Sequence, residues 1–311
     1  MATDLVSVII PTHNRGESLF RTIESVARQR YGHFEIIVVD DGSTEPVAGE
    51  LEGFATVRVI RTRERRGPSY ARNLGILQAT GEYVWFLDSD VLMPDEGTLE
   101  RLVGAFSSGD AIGSLGGEIV AHEPSRENAY GRRICWNGRN RRVVSHVRDP
   151  SWIECDYLAT CNCFTRRDHL LRIGGFDEQF VFGAEDQDLG YRLKALGLKN
   201  YVSHAFAVIH CQEKSGRYEN ETERYQKTRM QFAGVHFGTL HLWALYASEL
   251  CGFVAFYLLL VPKLLYKIAR RQRVTRQNYL GGWHRLKSVF ATPHQGAVSM
   301  LKSKSDVGRV G

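Results

Sequence analysis

Tyr83-Val84-Trp85-Phe86-Leu87-Asp88-Ser89-Asp90 is an apolar run that ends abruptly in two carboxylates. An apolar run without polar alternation predicts a strand buried on both faces, as in a parallel sheet covered by helices. Residues i and i+2 of an extended segment point the same way, so Asp88 and Asp90 are expected to face one ligand together. Oxygen donors at a strand end suit a hard divalent cation that also holds a diphosphate. A D-x-D triplet arises often by chance, so its meaning rests on the segments around it.

A second acidic pair, Glu185-Asp186, follows Gly174-Gly175-Phe176-Asp177. It opens a predicted amphipathic helix from Asp186 to Leu196, with Leu189, Leu193 and Leu196 at helical spacing and Gly197 as its stop. Acids in a first helical turn ordinarily complement the helix dipole. Brought next to the first pair, they could instead supply a base. Asp188 is expected to turn toward solvent.

Upstream, Val6-Ser7-Val8-Ile9-Ile10 reads as another buried strand, closed by the polar loop Pro11-Thr12-His13-Asn14-Arg15. A helix is predicted from about Glu17 to Arg28, a second strand from Phe34 to Val39 and a third, weaker one from Val57 to Arg61. Strand, helix, strand with apolar runs throughout predicts an α/β fold: a mostly parallel central sheet with helices on both faces. Ligands on such sheets bind at the carboxyl ends of the strands. Thr12, Asn14, Arg15, Asp40, Asp41, Asp88 and Asp90 all fall there, a polar cluster of nucleotide size. Asp40-Asp41-Gly42-Ser43 alone would read as a surface turn. The chain has no G-x-G-x-x-G after the first strand and no G-x-x-x-x-G-K-[ST], which disfavours a dinucleotide dehydrogenase and a P-loop NTPase.

Ser7 to Arg15, Val38 to Thr44, Arg66-Gly67-Pro68-Ser69-Tyr70-Ala71-Arg72-Asn73-Leu74-Gly75, Gly81 to Asp90, Gly174 to Glu178 and Glu185 to Leu189 resemble, in this order, the motifs of an inverting family-two glycosyltransferase with the GT-A fold. The resemblance spans roughly residues 5–212. It implies that Pro11, Thr12, Asn14 and Asp41 line a base pocket, where a carboxylate can accept the imide N–H of uracil or thymine. Arg15 and Arg72 then lie near the nucleotide, with ion pairs to Asp40 or Asp41 as their alternative role. Gly67 would let backbone approach closely, and Asn73 would hydrogen-bond a loop. By the same resemblance Asp88 would meet the ribose or a metal-bound water, Asp90 would bind Mg2+ or Mn2+, and His210, after the apolar run Ala205 to Ile209, falls where the family places a further ligand. A His ligand would tilt the preference toward Mn2+. Asp186 is the expected base; Glu185 is the alternative base, or a ligand for a sugar hydroxyl. Gly174-Gly175 either approaches the donor sugar or forms a tight turn.

Between Gly117 and Asp156 the resemblance fades into Arg126, Arg132, Arg133, Arg139, Arg141, Arg142 and Arg148, with Trp136 and Asn137. These arginines either grip a phosphate on an anionic or lipid-linked acceptor or form a solvated loop.

The six cysteines lack C-x-x-C spacing and read as reduced, mostly buried residues. A first strand so near Met1 leads us to expect no leader. Charge is uneven: residues 250–311 hold eleven of the 40 Lys and Arg but, in Asp306, one of the 35 acids. Before that basic run, Met230 to Pro262 contains a single charged residue, Glu249, and the uncharged run after it is thirteen residues. A transmembrane helix needs ~20. We therefore expect a catalytic domain over 1–228, an apolar and basic helical region over 229–290 lying in the membrane interface, and a flexible basic tail over 291–311. A packing or homodimer helix and a true span are the alternatives. Nucleic acid is not an expected partner, because no recognisable motif accompanies the charge.

The expected function is metal-dependent, inverting transfer from a UDP- or dTDP-sugar to a saccharide or lipid-linked acceptor, at the cytoplasmic face of a membrane. The alternatives are a sugar-nucleotidyltransferase and a non-catalytic nucleotide-sugar-binding module. The first calls for a Gly- and Lys-rich phosphate loop that Pro11-Thr12-His13-Asn14-Arg15 is not, and the second predicts a broken acidic pair.

Overall fold

Four parallel strands carry the polar rim. β1 (Val6–Thr12), β2 (Phe34–Asp40), β3 (Val57–Arg61) and β4 (Tyr83–Leu87) lie in the order β3-β2-β1-β4. Thr12 pairs with Asp40, so the carboxyl ends of β1 and β2 finish level. This computed structural model describes residues 4–258 apart from 52, 55, 108, 110, 122–130, 136–138, 144–151, 181–182, 212–220, 239, 249, 252–253 and 255–257.

Beyond β4 the expected parallel order becomes mixed. β10 (Asn162–Arg166) runs antiparallel between β4 and β6 (Ile112–Ala121), and β11 (Lys199–His210) lies parallel to β6. β5 (Val91–Leu92) and β9 (Ile153–Cys155) add to β11 antiparallel. Among the described residues no helix separates β6 from β10, and a strand that returns without a crossover runs antiparallel.

Helices cover both faces. α1 (Gly16–Ala27) and α3 (Thr98–Ser107) pack Leu19, Ile23, Leu102 and Phe106 against Val8, Ile10, Trp85 and Phe164. On the other face, α2 (Pro68–Gln78) and α5 (Glu185–Ala195) pack Ala71, Ile76, Leu189 and Leu193 against Ile9, Ile37, Val39 and Phe86. Consecutive residues Val8, Ile9 and Ile10 thus serve alternate cores, which is why these strands carry no polar alternation. Trp85 is fully buried, and its indole N–H donates to Asn162 Oδ1 at 3.1 Å.

α4 (Arg167–Arg172) ends in two left-handed glycines, Gly174 and Gly175, whose N–H groups donate to Leu171 O at 3.1 Å and Leu170 O at 2.8 Å. That is the six-to-one and five-to-two pattern of a Schellman cap. A Cβ on Gly175 would lie 2.5 Å from Asn73 Oδ1. Asn73 clasps the chain there, accepting from Phe176 N at 2.7 Å and donating to Phe176 O at 2.9 Å. The expected loop contact of Asn73 is present. The glycine pair forms the expected tight turn, capping α4 and lying against Asn73. Asn73→Ala should therefore cost about 2–4 kcal/mol of stability, read by denaturant titration, because it orphans both polar groups of Phe176. An unchanged midpoint would show the clasp to be dispensable.

Part of the arginine-rich stretch is ordered as a ribbon rather than a loop. β7 (Arg132–Ile134) and β8 (Asn140–Arg142) pair Arg132 with Arg142 and Arg133 with Arg141. Ile134 N donates to Asp156 Oδ2 at 2.6 Å, which pins the ribbon to the chain leading into β10. Arg126, Trp136, Asn137 and Arg148 lie outside the described residues.

The chain divides into two compact units, residues 1–135 with 140–214, and residues 136–139 with 215–311. The sheet belongs to the first. In the second, α6 (Glu221–Phe237) spans the expected boundary at Thr228. Among the described residues no helix is long and apolar enough to cross a membrane. The expected tail, residues 291–311, falls outside the described residues.

Candidate active site

The loop after β1 is held to the loop after β2 by Asn14. Its N–H donates to Ser43 Oγ at 2.9 Å, and its Oδ1 accepts from Thr44 N at 2.8 Å. Asn14 adopts φ +54°, a region that asparagine tolerates better than most residues. Pro11 and Thr12 end β1 beside it, with Thr12 buried. Asp40 lies underneath, accepting from Ser43 N at 2.9 Å with Arg61 at 3.6 Å. Asp41 accepts from Arg66 N at 2.8 Å on one oxygen and from Gly67 N at 2.7 Å on the other. Each oxygen keeps a lone pair free for a ligand. Gly67, at φ +98°, starts α2 from this grip.

Asp88 and Asp90 follow β4 as expected and meet His210. One ligand atom from each of the three lies within 4.8 Å of the others. β11 delivers the histidine: His210 pairs with Val91, and Cys211 N donates to Asp90 O at 2.8 Å. His210 Nε2 sits 3.1 Å from Asp90 Oδ1, while Arg15 bonds the other oxygen of Asp90. Burial pushes the Asp90 carboxyl up, but His210 and Arg15 outweigh it and hold it below the usual range. Burial likewise opposes charge on His210, yet Asp90 and Asp88 hold its imidazolium and raise it.

Arg72 joins this cluster to the second acidic pair. Its side chain is buried, with Nη2 donating to Asp88 Oδ1 at 3.0 Å and Nη1 at 3.6 Å from Glu185 Oε1. The alternative ion pairs of Arg15 and Arg72 with Asp40 or Asp41 do not form. Asp40 meets Ser43 and Arg61, and Asp41 meets backbone, while Arg15 pairs with Asp90 and Arg72 with Asp88 and Glu185. Burial disfavours a charged Arg72, but Asp88, Glu185 and Asp186 raise it further above its ordinary value.

α5 starts at Glu185, after Ala184 in a left-handed conformation at φ +69°. A non-glycine residue there stores strain at the entry to the acidic pair. Asp186 accepts from Thr160 Oγ1 at 3.0 Å. Burial and the adjacent Asp186 push the Glu185 carboxyl up to about 7, against the pull of Arg72. Burial also raises Asp186, opposed by Arg72 and Thr160. Asp188 does not face solvent. It is buried, with Arg192 Nε donating to it at 2.8 Å, because two residues on a helix turn it away from Asp186 and into the packed face.

Thr160 belongs to no motif, and nothing in its immediate sequence marks it. Its signal is topological: it precedes the strand that pairs with β4, so its hydroxyl reaches the same rim. The cysteines are free, and Cys155 and Cys163 are buried, each pushed up to about 12 chiefly by burial. They are inert thiols.

Two oxygen donors and one imidazole this close fit a divalent cation. Donors bound to one ion at ~2.0–2.2 Å sit roughly 3–4.5 Å apart. The same rim can hold a nucleotide against Asp41 and present a carboxylate, at Asp186 or Glu185, to an incoming hydroxyl.

Comparison with known proteins agrees with this architecture. The chain is 31% identical over 212 residues to a pre-mycofactocin glycosyltransferase of Mycobacterium tuberculosis, covering 66% of this chain and 42% of the relative. It is 28% identical to glycosyltransferase AglE of Haloferax volcanii, covering 66% of each. The match to the O-antigen biosynthesis protein RfbC of Myxococcus xanthus covers 18% of that protein, so the chain spans less than half the length of these first curated relatives apart from AglE. Among solved structures, GalNAc-T7 with UDP, GalNAc and Mn2+ superposes with a TM-score of 0.60 at 20% identity, over 74% of this chain and 47% of that one. Staphylococcus aureus TarS 1–349 with UDP-GlcNAc gives 0.56 at 21%, over 72% and 65%. These structures share the GT-A fold. The model of glycosyl transferase family 2 matches residues 7–173, more than half of the chain, and the protein belongs to that family.

Proposed function

We propose that this protein transfers a sugar from a nucleotide-sugar to an acceptor hydroxyl with inversion, as a metal-dependent enzyme. The observation that carries the reading is Arg72, whose one guanidinium touches Asp88 of the strand-end triplet and Glu185 of the helix pair. It sets the carboxylates suited to a metal-bound diphosphate beside those suited to proton transfer.

In this mechanism Asp41, with Pro11, Thr12 and Asn14, holds the base, and Arg15 and Arg72 orient the acids around the diphosphate. Asp88, Asp90 and His210 would hold Mg2+ or Mn2+. The bound ion would supply Lewis-acid neutralisation of the charge growing on the leaving diphosphate. Asp186 takes the proton of the acceptor hydroxyl as that oxygen attacks the anomeric carbon and the nucleoside diphosphate departs. Thr160 fixes one Asp186 oxygen and so orients the other. Asp41 as acceptor of an imide N–H favours a UDP- or dTDP-linked donor. The arginine ribbon beside Asp156 favours an acceptor that bears phosphate, as a lipid-linked saccharide does.

Two acidic pairs, both intact and joined by one arginine, argue against a non-catalytic module, and the Pro11–Arg15 loop argues against a sugar-nucleotidyltransferase. The test is thermal unfolding with UDP-, dTDP- and GDP-linked sugars, each with and without Mn2+. A ligand at about a hundred times its Kd stabilises by about 2.7 kcal/mol. A UDP- or dTDP-sugar should raise the midpoint only with metal present. A GDP-sugar acting alone would overturn the base assignment, and no response to any donor would overturn the function.

A further inference from the structure

We propose that the apolar stretch 240–258 docks onto the surface of an anionic lipid bilayer, drawn there by the basic residues that follow it. Every described residue from 240 to 258 is helical. In its first half one side is packed, with Leu245 buried and Leu242 and Tyr246 beside it against Met230, Ala233 and Phe237. The other side is bare. Leu240 is 85% exposed, Trp243 65%, Leu250 46%, Val254 48% and Leu258 68%. Exposed Ala244, Ala247 and Cys251 fill the gaps between them.

At 3.6 residues per turn these positions fall within roughly a third of the helix circumference. The stripe contains no charged residue. A helix packed on one side and apolar on the other has a second partner to meet, because large contiguous apolar patches mark interaction surfaces.

Charge identifies that partner. From residue 250 to 305 the chain has no Asp or Glu, and from 263 to 287 it has eight Lys and Arg. A second copy of this chain would bring the same positive charge alongside, at a repulsive cost. Anionic headgroups would neutralise it, and polybasic segments next to an apolar helix face bind such leaflets. Trp243 suits the boundary, with an apolar ring body and a polar N–H.

The experiment uses the full chain with vesicles of phosphatidylcholine, alone or with one third phosphatidylserine, at low and high salt. The protein should sediment with the anionic vesicles at low salt and be largely released by salt. Trp243→Glu combined with Leu250→Glu should weaken binding at least tenfold. Replacing Lys267, Arg270, Arg271 and Arg273 with Gln should weaken it on the order of a hundredfold at low salt. Circular dichroism checks that each variant is folded. The fluorescence of Trp243, isolated by difference from Trp243→Phe, should shift to the blue with anionic vesicles and so decides the matter without a disruptive variant. Wild type left in the supernatant at low salt overturns the proposal, as does a dimer that Trp243→Glu dissociates while vesicle binding is unaffected. Release by detergent alone, with the tail protease-protected inside sealed inverted vesicles, would mean a span and also overturns it. Nucleotide binding, measured in parallel, keeps the two readings apart: its absence would sink glycosyl transfer and leave this docking surface standing.

Discussion

Asp90→Ala abolishes metal-dependent nucleotide binding and lowers turnover on the order of a thousandfold or more, the upper range for removing one element of an electrostatic clamp. The residue is buried and serves two partners at once, Arg15 on one oxygen and His210 on the other. Removing it takes from Arg15 and His210 the carboxylate they share and takes one oxygen donor from the cluster with Asp88. Asp90→Asn, which keeps the shape, separates folding from charge. Calorimetric titration of UDP or dTDP with and without Mn2+ makes the measurement. Binding by the alanine variant at wild-type strength with metal present would refute the assignment of Asp90.

Asp186→Asn loses ~10²–10⁴ in turnover, the usual contribution of a positioned base, while donor affinity stays within a few-fold. An amide can still accept from Thr160 but cannot take the acceptor's proton. Glu185→Gln does less harm. The reverse ranking would move the base to Glu185, and full activity in both would remove α5 from the mechanism. The pH profile offers an independent reading. Both carboxyls are raised by burial, Glu185 to about 7, and a base works only when ionised, so the acid limb of activity should lie above that of an ordinary carboxylate. An ordinary carboxylate would give that limb near pH ~4. Stability runs the other way. A carboxyl raised in the fold stabilises most below its unfolded value and loses that contribution as pH rises through about 7. Glu185→Gln should therefore flatten the decline in thermal midpoint between pH 5 and 8. A wild-type acid limb near pH 4 would show that neither carboxyl is poised as described.

The strands of the rim are legible in the sequence because their apolar runs are local and continuous. Val6 to Ile10, Phe34 to Val39 and Tyr83 to Leu87 each fall within a strand, and the polar residues that end them fall on one edge. The helix at Glu185 is equally legible from leucine spacing and from Gly197, which closes it at φ +81°. The burial of Asp188 is not, because helical spacing says which residues share a face but not how far around that face the packing extends.

The chemistry on offer is written in the residues themselves: two acidic pairs, a strand-end histidine, polar strand ends and a basic, apolar C-terminal stretch. These are properties of residue type and short spacing, and they hold wherever the chain goes. Which groups meet is a property of the folded chain. It brought Asp88, Asp90 and His210 together, set Arg72 between the two acidic pairs, put Thr160 on Asp186 and paired Arg15 with Asp90. It also decided that the sheet becomes mixed beyond β4. Each of these depends on contacts between segments far apart in the chain. Such contacts follow from strand order and burial across the whole sheet, and no local pattern encodes them.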